Sequence, residues 1–200
     1  MGNGRRLWLI DAGYLFSAQL SVGASYAFDY KRLREKLEEL GGPLWRAYYL
    51  NSTPNPPSDA QDKFHSWMRT APPIGPKIIT KLYRLKTIGV DEAYCDNCQG
   101  MVAVRCEQQP ATGQRHPLAR REQKGVDVGI ATLALTLAPE YETLLLSSGD
   151  GDLLDAVEHL SQENKRFELA VFKSGVSTEL QARADAIYWI DDFAEDVARY

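Results

Sequence analysis

The sequence predicts an α/β domain with a mostly parallel central sheet. Short, continuous apolar runs recur along the chain, and such runs are typical of strands buried on both faces of a sheet. Helical patterns lie between these runs, and this alternation favours parallel strands joined by crossover helices. The chain has 200 residues, of which 44% are hydrophobic, so it is long enough for one domain with a full core.

The predicted elements follow one another in a regular order. Apolar or alternating segments predict strands at residues 7–10, 44–50, 77–88, 144–146, 167–172 and 187–190. The third of these is a strand or a hairpin, with Ile79, Leu82 and Leu85 as candidate core residues. Helical spacing predicts helices that begin at Tyr14 and Leu153 and helices over 29–40, 59–69, 126–137, 178–186 and 191–200, the last on the surface. Proline-rich segments at 51–58 and 71–76 predict loops.

The charge and the cysteine content limit the classes of protein to consider. The formal net charge is −4, so any contact with nucleic acid has to come from a local basic patch. No apolar run approaches the ~20 residues of a membrane helix, and the start of the chain lacks the apolar region of a secretion signal. The cysteines number three, an odd count that favours a reducing compartment over a disulfide framework. We therefore expect a cytoplasmic protein with no membrane partner.

Aspartates follow two of the predicted strands. Asp11 ends the first strand, and Asp150 and Asp152 follow a later one through a short run of serine and glycine. In an open α/β sheet, ligands bind outside the carboxyl ends of the strands where the strand order reverses, so Asp11 and Asp150 converge if their strands are neighbours. Asp127 opens a predicted helix, where it also suits the helix dipole, and Asp152 is also placed to cap a helix.

Carboxylates that converge in this way indicate a hard divalent cation. They repel one another, and burial adds to the penalty. Mg²⁺ and Mn²⁺ prefer oxygen ligands, retain water molecules, and can bridge to a phosphate oxygen. We therefore expect Asp11, Asp127, Asp150 and Asp152 to bind Mg²⁺ or Mn²⁺ if the fold brings them together.

Four stretches give the sequence a specific family resemblance. They are Leu9-Ile10-Asp11, Lys124-Gly125-Val126-Asp127-Val128, the run from Ser147 to Leu153, and the run from Phe172 to Leu180. Together they resemble the NYN family, a branch of the PIN-like ribonucleases. The resemblance implies a single domain over residues 1–200 with a three-layer α/β/α, PIN-like (Rossmannoid) fold. It also implies metal-dependent cleavage of RNA, with Asp11, Asp127, Asp150 and Asp152 as the catalytic, metal-binding acids.

Four further residues are candidates for substrate binding. Lys124 stands beside the predicted metal site and can contact a phosphate, although an ordinary solvated lysine is the alternative. Ser148 and Ser177 can hydrogen-bond a phosphate or an aspartate, or can serve only as turn and N-cap serines. Tyr14 stands where family members often carry Asn, three residues after the first Asp. Because tyrosine is bulky and lacks the amide, this position bears on how the substrate is placed.

Residues 91–123 differ in composition from the rest, and we interpret them as a small cysteine-containing insertion. Cys95 and Cys98 have the Cys-x-x-Cys spacing of a zinc knuckle, and Cys106 with His116 would complete four ligands. Bound zinc would stabilise a segment that has little core of its own. Three reduced cysteines in a loop, or a redox dithiol, are the alternatives.

Basic residues crowd around this segment and define a candidate RNA-facing surface. They are Lys77, Lys81, Arg84, Lys86, Arg105, Arg115, Arg120 and Arg121, with Tyr83 and Tyr94 among them. Basic grooves with interleaved aromatic side chains bind single-stranded nucleic acid, although runs of charge also form ordinary solvated faces.

The leading hypothesis is therefore a metal-dependent ribonuclease whose partner is RNA. The first alternative is a non-catalytic module that binds RNA or a protein through the same cleft, and Tyr14 is the residue that favours it. The second is a phosphatase or another hydrolase of small phosphates, because such enzymes also use clustered aspartates.

Overall fold

The computed structural model describes residues 4–54, 56–106 and 116–199. The strands in this part of the chain are β1 (Arg6–Asp11), β2 (Leu44–Thr53), β3 (Ile79–Arg84), β4 (Lys86–Gly89), β5 (Glu92–Cys95), β6 (Gly100–Ala103), β7 (Ala119–Glu122), β8 (Thr143–Ser147), β9 (Arg166–Val171) and β10 (Ala186–Trp189). The α-helices are α1 (Ala12–Ala18), α2 (Tyr30–Gly41), α3 (Asp59–Arg69), α4 (Val126–Thr136), α5 (Leu154–Gln162), α6 (Thr178–Arg183) and α7 (Ala194–Val197).

Six strands form one parallel sheet in the order β10-β9-β8-β1-β2-β3. All residues of β1 and β8 are buried, as their continuous apolar sequences predict. The chain runs from β1 through β2 to β3 at one edge, and later builds β8, β9 and β10 on the other side of β1. The strand order therefore reverses between β1 and β8, and a crevice at the carboxyl ends of the strands is expected at this point.

Helices cover both faces of the sheet, so the three-layer α/β/α fold is confirmed. On one face, α1, α2, α3 and α7 pack on a core that includes Trp8, Ile10 and Leu145. On the other face, α4, α5 and α6 pack on a core that includes Leu9 and Leu146. Because successive side chains of a strand point to opposite faces, Leu9 and Ile10 belong to different cores.

Residues 86–106 and 116–122 form a β-ribbon outside the six-stranded sheet. Within it, β4 pairs antiparallel with β7, and β5 pairs antiparallel with β6. Each of these strands has 4 residues, and most of their side chains are exposed or half-buried. That this region is an insertion in the family fold stays a prediction.

Two predictions at the edge of the sheet are wrong. Ile79 and Leu82 are 45% and 40% exposed rather than in the core, because β3 is an edge strand with a neighbour on one side only. The strand β2 continues to Thr53 through residues predicted as loop, because its pairing with β3 extends from Tyr48 to Thr53.

The C-terminal segment also differs from its prediction as a surface helix. A 3₁₀ turn at Ile190–Phe193 precedes the short helix α7. Ala194 and Val197 are buried, and the carbonyl oxygen of Val197 accepts a hydrogen bond from the backbone N–H of Asp29 at 2.8 Å. The segment therefore completes the core beneath α2. None of the described helices is long and apolar enough to cross a membrane.

Candidate active site

Two of the predicted acids lie where the strand order reverses. The strands β1 and β8 are neighbours, as expected, and Ile10 pairs with Ser147. Asp11, the last residue of β1, therefore lies opposite Ser148, two residues before Asp150. The fold thus brings two sequence-distant acids to the same carboxyl edge of the sheet.

Asp11 is held in a fixed position although it is only 8% exposed. Its Oδ1 accepts a hydrogen bond from the backbone N–H of Tyr14 at 3.1 Å and so caps α1, while its Oδ2 accepts one from Ser148 Oγ at 3.1 Å. Burial raises the pKa of Asp11, the two hydrogen bonds oppose this change, and the charge of Asp127 raises the pKa further. The carboxylate is therefore positioned by the protein but is only partly compensated for its burial.

Ser148 joins the two strand ends. Its side chain is fully buried, and its hydroxyl donates to Asp11 and accepts a hydrogen bond from the backbone N–H of Asp150 at 3.3 Å. Of the partners that the sequence suggests for Ser148, a phosphate or an aspartate, the structure shows the aspartate. The bonds of Ser148 indicate that it positions the carboxylates, and a contact with substrate stays a prediction.

The loop after β8 carries Asp150 and Asp152. Asp150 caps the 3₁₀ turn Gly151–Leu153, because its Oδ1 accepts a hydrogen bond from the backbone N–H of Asp152 at 3.0 Å. Asp152 was also a candidate to cap the following helix, but the N-cap of α5 is Leu153 and no side chain among the described residues caps it. Asp152 itself is exposed in the first turn.

Asp127 reaches the same location from a third segment of the chain. It lies in the first turn of α4, which begins after Gly125 in a left-handed conformation with φ of 86°. Partial burial raises the pKa of Asp127, and the negative charges of Asp150 and Asp152 raise it further. The charge of Asp127 also raises the pKa of Asp11, so Asp127 lies near enough to both strand ends to interact electrostatically with their acids.

The described residues offer this cluster no basic partner. None of their salt bridges includes any of the four aspartates. Lys124 is 59% exposed and pairs with Glu122 at 3.2 Å. Its predicted contact with a phosphate stays a prediction, and such a contact would compete with Glu122.

The four aspartates lie on the same side of the molecule, but their carboxylates do not form a ready set of metal ligands. Among the residues that the structure describes, no three His, Cys, Asp or Glu side chains are arranged to hold a metal ion. Mutual repulsion opposes such an arrangement of unneutralised carboxylates. Asp127 and Asp152 are exposed, so they can change rotamer without disturbing the core. The assignment of metal ligands therefore stays a prediction.

Tyr14 connects α1 with the loop after β9. Its hydroxyl lies 2.9 Å from the carbonyl oxygen of Phe172 and 3.1 Å from that of Ser174. Burial raises the pKa of its hydroxyl well above the usual range. These contacts indicate that the tyrosine braces the crevice, while its predicted role in substrate binding stays untested.

The loop of Ser177 also supports the acids. Ser177 caps α6, accepting from the backbone N–H of Leu180 at 3.3 Å and donating to Glu179 at 2.7 Å. Its own backbone N–H donates to the carbonyl oxygen of Gly149 at 2.9 Å. A Cβ at Gly149 would overlap the carbonyl oxygen of Gly175, so only glycine permits this close approach of the two loops.

Sequence reasoning missed Gln123, which lies at the edge of the crevice. A Cβ on Gly13 would come within 2.8 Å of Gln123 Oε1, so this side-chain amide lies against the backbone two residues after Asp11. The sequence feature that could have indicated this contact is Gly13, because glycine allows another group to approach the backbone closely.

A small cavity of about 240 Å³ lies farther along the same edge of the sheet. It is lined by Pro54, Arg84, Leu85, Thr87 and Arg121. Two residues of the predicted basic surface, Arg84 and Arg121, therefore line the same cavity, and the pairing of β4 with β7 places Arg121 opposite Thr87. Another predicted member of that surface, Arg115, lies outside the described residues.

The cysteines are only partly brought together. Cys95 ends β5, and hydrogen bonds from the backbone and side chain of Cys98 lower the pKa of its thiol. Cys106 is half-buried and His116 is exposed, and neither joins the pair in a ligand group among the described residues. The cysteines form no disulfide. The zinc site therefore stays a prediction.

Comparisons with known proteins agree with this architecture. The NYN domain family model matches residues 7–191, and no curated protein matches the chain. A similar crystal structure is that of a protein of unknown function, VPA0982, from Vibrio parahaemolyticus RIMD 2210633. It has 21% sequence identity and a TM-score of 0.62, and the match covers 100% of this chain and 99% of that one. At this identity, the likeness shows the fold alone. The family match over nearly the whole length places the chain in the NYN domain family of PIN-like nucleases.

Proposed function

We propose that this protein is a ribonuclease that hydrolyses RNA phosphodiester bonds with Mg²⁺ or Mn²⁺ held by Asp11, Asp127, Asp150 and Asp152. The observation that carries the proposal is the convergence of these acids. They come from three separate segments, and no salt bridge among the described residues neutralises them. The charge of Asp127 raises the pKa of Asp11, and the charges of Asp150 and Asp152 raise the pKa of Asp127. Such a cluster is stabilised by a cation.

The chemistry of the cluster fits a hard divalent cation. All four side chains offer carboxylate oxygens, which Mg²⁺ and Mn²⁺ prefer to nitrogen or sulfur. Asp11 and Asp150 would be the fixed ligands, because hydrogen bonds orient both, while the exposed Asp127 and Asp152 would close on the ion. When bound, the ion supplies charge neutralisation and water activation in phosphodiester hydrolysis.

The chain's own residues would orient the acids and the substrate. Ser148 and the backbone N–H of Tyr14 keep Asp11 in one rotamer, which preserves the geometry that the reaction requires. Lys124, three residues before Asp127, would hold a phosphate beside the acids after exchanging its bond with Glu122.

A second phosphate contact is proposed at Arg84 and Arg121. Arg84 ends β3, which lies three strand spacings from β8, or about 14 Å away. A strand of RNA that is cleaved at the acids would therefore place a neighbouring phosphate within reach of these arginines. We propose that the protein acts in the cytoplasm, and the free state of the three cysteines supports this location.

Asp150→Asn tests the function, with Asp155→Asn as a matched control. Asp155 lies in the first turn of α5 and is exposed, so the control changes the same type of residue nearby. With single-stranded RNA and Mn²⁺, we expect cleavage that a chelator abolishes. The rate of cleavage by Asp150→Asn should be lower by roughly 100-fold or more, which is the effect of removing a group that stabilises transition-state charge. Asp155→Asn should cleave at the wild-type rate. Equal cleavage by a folded Asp150→Asn protein would remove the proposal.

A second candidate is a non-catalytic module that binds RNA or a protein through the same crevice. Tyr14 favours it, because its hydroxyl is bonded to backbone carbonyls and it brings no amide to the position where family members often carry Asn. This candidate predicts RNA binding by the wild-type protein without cleavage in Mg²⁺ or Mn²⁺.

A further inference from the structure

A large groove of about 940 Å³ opens beside the acids, between α1 and α3. Its volume falls within the range of ~300–1,000 Å³ that ligand sites occupy. Six aromatic side chains are among its lining residues, namely Phe16, Phe28, Tyr30, Tyr49, Phe64 and Trp67, of which Phe28, Tyr30 and Tyr49 are buried at its base. Several form ring contacts with one another, such as Phe64 with Trp67 at 6.0 Å between centroids, so the walls are preassembled.

The groove reaches the residues that directly follow Asp11. Ala12, Gly13 and Gln123 line the groove, and Ala12 directly follows Asp11. Asn51, near the carboxyl end of β2, also lines it, and β2 is the strand next to β1. A ligand in the groove would therefore lie next to the carboxyl end of β1, where Asp11 stands.

The groove is also suited to an anionic ligand. Lys63 and Arg199 line it, and neither takes part in a salt bridge among the described residues. The one acid in its lining is Asp29, whose carboxylate accepts hydrogen bonds from the backbone N–H groups of Lys31 and Arg32 at the start of α2. Planar apolar walls and unpaired cations are the combination that single-stranded nucleic acid requires, because bases stack on rings and phosphates attract cations.

Phe16 is the most accessible of these rings. It is 73% exposed although it lies in α1, only five residues after Asp11. A single exposed phenylalanine is unremarkable alone, but at the mouth of an aromatic groove beside a phosphodiester site it offers a free face for stacking.

We propose that this groove binds an unpaired base of single-stranded RNA next to the scissile phosphodiester, with Phe16 as the outer stacking face. The inference rests on the proposed function for the position of the scissile bond. It adds a base-binding subsite to that function, which requires the nucleotide next to the scissile bond to be unpaired. An apolar peptide is the competing occupant, and the cations in the lining favour the nucleotide.

Phe16→Ala tests the groove, with Leu20→Ala as its control. Leu20 is also exposed, at 53%, but does not line the groove. Binding of a labelled single-stranded octaribonucleotide is measured by fluorescence anisotropy in chelator, so that cleavage does not interfere. We expect Phe16→Ala to weaken binding roughly 5- to 100-fold, the range for loss of one stacked base. Phe16→Trp should restore binding, and Leu20→Ala should bind as the wild type does.

A series of oligonucleotides with one abasic position makes the test specific for stacking. At one position, removal of the base should weaken binding to the wild type, and Phe16→Ala should then cause no further loss. The proposal is overturned if Phe16→Ala binds intact RNA with wild-type affinity, or if Leu20→Ala weakens RNA binding as much as Phe16→Ala does. It is also overturned if Phe16→Ala weakens only the binding of an apolar peptide. Binding that depends on Phe16 without any cleavage by the wild type would remove the proposed function and leave the groove assignment in place.

Discussion

The acid cluster and the β-ribbon are both sites where the sequence predicts a metal, but they are built differently. Asp11 and Asp150 follow buried strands, and hydrogen bonds fix Asp11 between β1 and α1. The cysteines lie on short, largely exposed strands, where Tyr94 and Met101 are 61% and 60% exposed. Burial thus determines the position of Asp11, and the buried strand β8 determines where the loop of Asp150 begins. Little in the β-ribbon determines where Cys106 and His116 lie relative to Cys95 and Cys98.

This difference has a physical origin. A buried parallel strand has its register set by both neighbours and both cores, so a residue at its carboxyl end occupies a defined place. A segment without a core gains little free energy from burial in any one conformation. A bound metal then has to supply the free energy that orders the segment. Three changes can break or sharpen the contrast.

The largest effect is expected from Ser148→Ala, compared with Ser147→Ala. Ser148 holds Asp11, whereas Ser147 accepts a hydrogen bond from Trp8 Nε1 at 2.9 Å, and both serines are fully buried. Each change should lower the free energy of unfolding by about 1–3 kcal/mol. Only Ser148→Ala should reduce RNA cleavage, by roughly 10- to 100-fold, because only this change removes a hydrogen bond that orients Asp11, a proposed metal ligand. Equal losses of cleavage in both variants would show that Ser148 has no special positioning role.

Asp11→Asn should have a smaller effect, on the thermal stability of the metal-free protein. Because burial and the charge of Asp127 raise the pKa of Asp11, the folded protein loses stability as the pH rises from the ordinary value of 3.8 through the raised pKa. Asparagine retains the Oδ1 cap and removes the charge, although its Nδ2 cannot accept the hydrogen bond from Ser148 Oγ. The melting temperature of the variant relative to that of the wild type, measured in chelator, should therefore rise by about 2–4 °C as the pH is raised from 3.8 to 7. The gain should shrink as the pH falls toward 3.8, and excess Mn²⁺ should stabilise the wild type more than the variant.

Asp29→Asn provides the control for that comparison. It changes another N-cap aspartate, whose carboxylate accepts hydrogen bonds at the start of α2. This variant should respond to Mn²⁺ as the wild type does. An equal Mn²⁺ response in Asp11→Asn would count against Asp11 as a ligand.

The smallest effect on cleavage is expected from Cys98→Ser. If zinc binds the β-ribbon, elemental analysis of the purified wild type should find about one zinc per chain, and the variant should contain less. Cleavage in Mn²⁺ should not change, because the two sites do not share residues. Zinc far below one per chain in the wild type would remove the zinc prediction.

The sequence predicts the core of this fold better than its edges. Apolar runs such as 7–10 identify the central strands, because burial on both faces requires apolar residues on both faces. The same reasoning misplaces Ile79 and Leu82, because an apolar residue on an edge strand looks the same in sequence as one in the core. The convergence of Asp11 and Asp150 could be expected from the fold class, but the roles of Ser148 and Gln123 depend on contacts between distant segments.

Paramagnetic broadening by Mn²⁺ tests the central claim most directly. In ¹⁵N-labelled protein, substoichiometric Mn²⁺ broadens the amide signals nearest the bound ion. The account predicts that broadening is centred on residues 11–13, 125–128 and 148–152, three segments that only the fold brings together. Broadening centred instead on Cys95 and Cys98, or spread over unrelated surface carboxylates, would contradict the claim that Asp11, Asp127 and Asp150 share one ion.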